Sequence, residues 1–188
     1  MISFPGFPVA RRAVIRQEDW ELANLYGRQM ASRRDYAQSR GERRPIDPAQ
    51  QAMSKAGEIA VYDWYRQDGH VVEFPDCGVH RTDERKFTPD VAGHFVKTDT
   101  GHYDSVVFNI GPSHKDVDPI TNGQPLDACV VIVEPVGTME YRLVAVVRVP
   151  DVPARLKPLR YVNPNKAALY FSDLTDEEKR GNLPIPRG

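Results

Sequence analysis

Three side chains in this sequence are well placed to do chemistry together: Glu58 in KAGEIAVYDWY, and Asp90 and Lys97 in KFTPDVAGHFVKTDT. Carboxylate oxygens hold hard cations such as Mg²⁺, and a lysine beside them stabilises negative charge developing on a phosphate or orients water. Convergence is the requirement. If residues 94–99 form a strand, side chains alternate, so Phe95, Lys97 and Asp99 share one face while His94, Val96 and Thr98 take the other. Asp90 lies just across the Gly93 turn and converges on that strand if the two segments pair as a tight hairpin. Glu58 sits among Ala56, Gly57 and Ala60, small residues that let a helix approach a sheet closely. A carboxylate there needs a cation or Lys97 as partner once buried.

Each residue also has an ordinary use. Glu58 is in reach of Lys55 and Arg66 as a helix-surface ion pair. Lys97 suits an edge strand, Asp90 a turn after proline, and His94, alone on the opposite strand face, a structural role. Pro75-Asp76 with Glu84 and Lys86 repeats the acid and lysine spacing, but CGVHRTDERK lacks apolar alternation and reads as a solvated loop.

The elements that must position these side chains follow from periodicity and breakers. QEDWELANLYGRQMASRRDYAQ opens with acids and turns basic, an amphipathic helix over 17–38. Asp47-Pro48 starts a second helix over 48–68 that stops at Gly69. HVVEF predicts a short strand followed by a long loop, and from residue 86 to 150 the chain turns to strand-like runs: HFVKT, SVVFNIG, ACVVIVEP and YRLVAVVRVP. The expectation is one α/β domain over 1–172, a central mixed β-sheet flanked by α-helices, and a loosely held tail over 173–188.

A chain of 188 residues with 40% hydrophobic and 27% charged residues can bury one sizeable core. Cys77 and Cys129 cannot build a disulfide scaffold or a cysteine zinc site, and no run approaches a membrane span, so a cytoplasmic setting is expected. With a net charge of −1, any nucleic-acid surface must be local. Arg28, Arg33, Arg34, Arg40, Arg43 and Arg44, with Tyr36, form the one concentrated basic region, and Arg33, Arg34, Arg43 and Arg44 are the expected phosphate contacts. No P-loop, dinucleotide glycine pattern, nucleophile elbow or His-Glu-x-x-His helix occurs.

In order and spacing, KAGEIAVYDWY, KFTPDVAGHFVKT, SVVFNIG, LDACVVIVEP and YRLVAVVRV resemble small phage and prophage proteins of the PD-(D/E)XK, or restriction-endonuclease-like, superfamily, over residues 47–149. The resemblance implies a restriction-endonuclease-like fold and a metal-dependent nuclease or DNA-processing activity. It assigns Glu58 to the helix acid, Asp90 to the strand acid and Lys97 to the lysine, with Mg²⁺ or Mn²⁺ held by Glu58, Asp90 and Asp99. Phe95 stands where the pattern has its second acid, so Asp99 or Glu58 would supply that ligand. The implied partner is DNA. The alternative is a nuclease-fold binding module that has lost catalysis and acts on nucleic acid or a host protein.

Overall fold

The computed structural model describes residues 11–32, 47–78, 88–110, 118–159 and 165–187. Their architecture is mixed α/β in three layers: two helices, a four-stranded sheet and a three-stranded sheet.

Helix α1 (Gln17–Ser32) begins with Glu18 and Asp19 in its first turn, and Asp19 holds Arg16 at 2.8 Å. Its buried stripe is Asp19, Ala23, Gly27 and Met30. Helix α2 (Pro48–Gln67) is capped by Asp47, whose side chain accepts from the Ala49 N–H at 2.9 Å, with proline in the first turn. The helices cross at Gly27, where a Cβ would fall 2.3 Å from the Pro48 carbonyl oxygen. The second helix matches its expected span within a residue, while the expected end of the first, at 33–38, lies outside the described residues.

The four-stranded sheet has the order β1 (Arg12–Val14), β5 (Glu140–Arg148), β4 (Cys129–Pro135), β2 (Phe95–Thr98). It is mixed: β2 runs parallel to β4, and the other two pairings are antiparallel. Between β2 and β4 the chain makes β3 (Ser105–Asn109), which belongs to the second, antiparallel sheet, β3–β7–β6, with β6 at Lys157–Pro158 and β7 at Lys166–Tyr170. Strand β4 is apolar from Val130 to Val133, where both its faces are covered, and its one charged residue, Glu134, pairs with Arg142 of β5. Val131 and Val133 pack toward Ala56, Ile59, Ala60 and Trp64 of α2, whereas Val130 and Ile132 pack toward Phe108 and Leu169 of the second sheet.

Three sequence expectations are corrected. The strands are not confined to 86–150, since β1, β6 and β7 lie outside that span, and the face of the central sheet away from the helices is covered by the second sheet. HVVEF forms no strand: Val71 is 101% exposed, and Phe74 packs edge-on against Tyr62 of α2 at 5.0 Å, so the segment lies along a helix instead of joining a ladder. The segment from residue 173 is not loosely held. It contains a short helix, α3 (Asp176–Lys179), with a full capping box at Thr175 and Glu178. Beyond it, the Pro184 carbonyl accepts from the Tyr65 hydroxyl at 2.8 Å, and the Arg187 N–H donates to Ala92 at 2.9 Å. Such partners are backbone groups, which residue type alone does not announce.

Candidate active site

Gly57 sets the distance between α2 and β2. A Cβ at this position would stand 2.3 Å from Thr98 Oγ1 and 2.9 Å from Val133 Cγ2, so only glycine lets the helix come this close. The next residue, Glu58, is thereby brought to the end of β2. Its side chain is only 15% exposed and accepts from Lys55 Nζ at 2.6 Å; the same ammonium donates to the Asp76 carbonyl at 2.7 Å and lies over the Tyr26 ring at 4.8 Å.

Asp90 arrives by a two-residue hairpin. Val91 and His94 form the bridge, and the central Ala92 and Gly93 have φ of 52° and 78°, the positive pair that a type I′ turn requires. The returning strand ties the acid down, with the Val96 N–H donating to Asp90 Oδ2 at 2.8 Å. His94 is structural: its Nδ1 accepts from the Cys129 N–H at 3.2 Å, leaving Nε2–H to donate to the Ile185 carbonyl at 2.9 Å.

Lys97 Nζ is 3.4 Å from Asp118 Oδ2 and lies 5.1 Å from the centre of the Phe108 ring. Asp118 also accepts from the Asn109 N–H at 3.1 Å. Asp118 is thus the acid beside the lysine, and the sequence reading missed it because it comes from the turn-rich 111–125 stretch, distant in sequence from Lys97. Phe95 shares the Lys97 face, as alternation requires, but is 5% exposed and belongs to the apolar cluster of Val106, Phe108, Val130 and Leu169. It fills the core between the sheets and is not among the residues lining the cleft.

Glu58, Asp90, Lys97 and Asp99 all line one cleft of about 440 Å³, together with Lys55, Tyr26, Thr98 and Tyr103. Asp99 is 2% exposed; its Oδ1 accepts from the N–H groups of Gly101 at 3.4 Å and Tyr103 at 3.0 Å. Its Oδ2 is buried without a hydrogen-bond partner among the described residues. Arg33, Arg34, Arg43 and Arg44 lie outside the described residues.

The electrostatics follow from burial. Loss of water pushes the Glu58 carboxyl up, the nearby Asp90 charge pushes it further, and Lys55 and Lys97 pull back only in part, leaving it at about 8. Burial likewise raises Asp90, against the pull of the Val96 N–H and Lys97. Burial disfavours the Lys55 ammonium, but Glu58 outweighs it and the net direction is upward. The cleft therefore presents two carboxylates that resist ionising together, beside two lysines. Among the described residues, however, no three His, Cys, Asp or Glu side chains are grouped closely enough to hold a metal ion, so Glu58, Asp90 and Asp99 share a cleft without forming a three-carboxylate cage. No helix among the described residues is long and apolar enough to cross a membrane.

Comparisons with family models, curated proteins and solved structures find no match to this chain.

Proposed function

We propose that the cleft between α2 and β2 is the active site of a metal-dependent nuclease of the PD-(D/E)XK type, acting on DNA and of a kind that phages encode. What supports it is that Glu58, Asp90 and Lys97, drawn from a helix, a turn and a strand, line the same cleft. A helix acid packed by a glycine against the parallel β2–β4 pair also favours the restriction-endonuclease-like reading of the fold.

The donor chemistry fits a hard divalent cation, Mg²⁺ or Mn²⁺: the acids supply only oxygen, and burial, with the Asp90 charge added, keeps Glu58 reluctant to ionise even beside Lys55. Glu58 and Asp90 would hold the ion, with water and substrate oxygens filling the positions that Mg²⁺ commonly leaves to them. Bound there, it would supply Lewis-acid polarisation of a phosphodiester. Lys97 would place its ammonium against the phosphate oxygens, and Glu58 would serve as an ionised oxygen ligand, the cation offsetting the burial and the Asp90 charge that otherwise keep it protonated. The basic stretch with Arg33, Arg34, Arg43 and Arg44 would contact the DNA backbone.

A second reading is a nuclease-fold binding module that has lost catalysis, with nucleic acid or a host protein as partner. The ion pair of Lys55 with Glu58 and the absence of a three-ligand group among the described residues favour it. Incubating the purified chain with single- and double-stranded DNA and RNA, in Mg²⁺, Mn²⁺ or EDTA, separates the two. The nuclease reading expects cation-dependent cleavage that drops roughly a hundred-fold or more in Glu58→Gln, Asp90→Asn and Lys97→Met. Binding without cleavage supports the module, and cleavage that persists in EDTA rejects the metal-dependent site.

A further inference from the structure

Residues 99–104 form a tight loop at the cleft mouth. Asp99 Oδ1 accepts from the N–H groups of both Gly101 and Tyr103, closing an Asx-type turn. His102 and Asp104, on either side of the tyrosine, have φ of 52° and 51°, a left-handed conformation that non-glycine residues seldom adopt without support from their surroundings. The far end is tied to the second sheet, where the Phe171 N–H donates to the Asp104 carbonyl at 2.8 Å. The loop presents Tyr103, which is 74% exposed and lines the same cleft as Glu58, Asp90 and Lys97. Its ring lies against Gly101: a Cβ there would fall 2.1 Å from Tyr103 Cε2, so a side chain at residue 101 would displace the ring.

We infer that Tyr103 is a stacking platform for an unpaired base, and that the cleft takes single-stranded DNA or a strand with an unpaired nucleotide at this point. The inference rests on the reading of the cleft as a nucleic-acid site. An aromatic ring lying against Gly101 and exposed in a cleft with acids and lysines suits a ligand with a flat π face next to a charged backbone. In a duplex the base faces are covered by their neighbours, so only an unstacked base can lie on the ring. The cleft is about 440 Å³ and bounded by α2 and the 99–104 loop, on the scale of a pocket for one small-molecule-sized unit.

The test uses the full chain and labelled oligonucleotides in EDTA, so that binding is read without cleavage. Tyr103 is largely exposed, which keeps its substitutions compatible with folding, and melting temperatures of the variants check this. Tyr103→Ala should bind a single strand roughly ten- to a hundred-fold more weakly. Tyr103→Phe and Tyr103→Trp should bind like the natural chain, and duplex binding should be unchanged in all three. Gly101→Ala, which keeps the tyrosine but displaces its ring, should behave like Tyr103→Ala. Equal binding of single strands by Tyr103→Ala, or an equal loss for duplex and single strand, overturns the platform. If the natural chain cleaves DNA and Tyr103→Ala binds single strands unchanged, the platform falls and the nuclease reading stands. Tyr103-dependent binding without cleavage in any cation leaves the platform standing and removes catalysis. No binding to any nucleic acid removes both.

Discussion

Lys55 Nζ stands 2.6 Å from Glu58 Oε2, one turn apart on α2, and the two side chains are only 8% and 15% exposed. The pair lowers the cost of burying the acid without cancelling it, and the carboxyl still ionises only at about 8. The sign of the consequence is fixed by linkage. Between about 4.5 and about 8 the folded chain holds a proton on Glu58 that the unfolded chain has released, so this group's contribution to stability is full at low pH and is lost as pH rises through that window. Glu58→Gln should flatten the decline. Melting temperatures across this range, natural chain against variant, give the difference; parallel curves would place Glu58 at an ordinary acid value.

Gly57→Ala tests what brings the helix acid to the strand. The new methyl would stand 2.3 Å from Thr98 Oγ1 and 2.9 Å from Val133 Cγ2, so α2 must move outward. Overpacking of this kind costs about 1–3 kcal/mol. Any activity should fall with it, because Glu58 moves with the helix. Thr98→Ala removes the closer of the two contacts and should partly restore stability in the double variant, measured by urea unfolding. Additive losses would show that the helix does not rest on Thr98.

Much of this was legible in the sequence, and what was missed has a common physical cause. The glycine beside Glu58, the tight turn at Gly93 that carries Asp90, and the strand in ACVVIVEP are encoded by local spacing. HVVEF looked like a strand because its apolar residues suit one, yet a strand exists only where a neighbour offers a ladder, and here Tyr62 and the Asp76–Lys55 contact hold the segment to a helix. KAALY and RAV are short segments whose strand character comes from their partners β3 and β5. Asp118 meets Lys97 across 21 residues that include the whole of β3, a separation over which local spacing specifies no contact.

Asp90 separates charge from hydrogen bonding. Asp90→Asn keeps an oxygen able to accept from the Val96 N–H, whereas Asp90→Ala leaves that part-buried donor unpaired, a loss of about 1–3 kcal/mol. Both remove the negative charge that helps to raise Glu58. Asp90→Asn should therefore fold nearly as well as the natural chain, shift the Glu58 titration below about 8, and lose cation-dependent activity. Infrared difference titration of the buried carboxyl follows the shift. An unmoved titration would mean that burial and the two lysines set the value without Asp90.

Phe95 provides the sharpest test of where the site ends and the core begins. Strand alternation puts it on the Lys97 face, and a Glu at this position would complete the acid-x-lysine pattern on paper. The side chain instead packs among Val106, Phe108, Val130 and Leu169, and Lys97, two residues on, is engaged with Asp118. A carboxylate placed there enters an apolar layer with no partner, which it escapes only by protonation or by disrupting the packing of the two sheets. Phe95→Glu should accordingly destabilise the fold by more than about 3 kcal/mol, in the range reserved for buried unpaired charge and core disruption. Phe95→Leu, which keeps the position apolar at the expense of a smaller side chain, should lose less. Urea unfolding of both variants with and without Mg²⁺ decides the matter. A Phe95→Glu chain that folds normally and gains stability from Mg²⁺ would place this side chain in the cleft, whereas a large loss insensitive to Mg²⁺ assigns it to the core between the sheets.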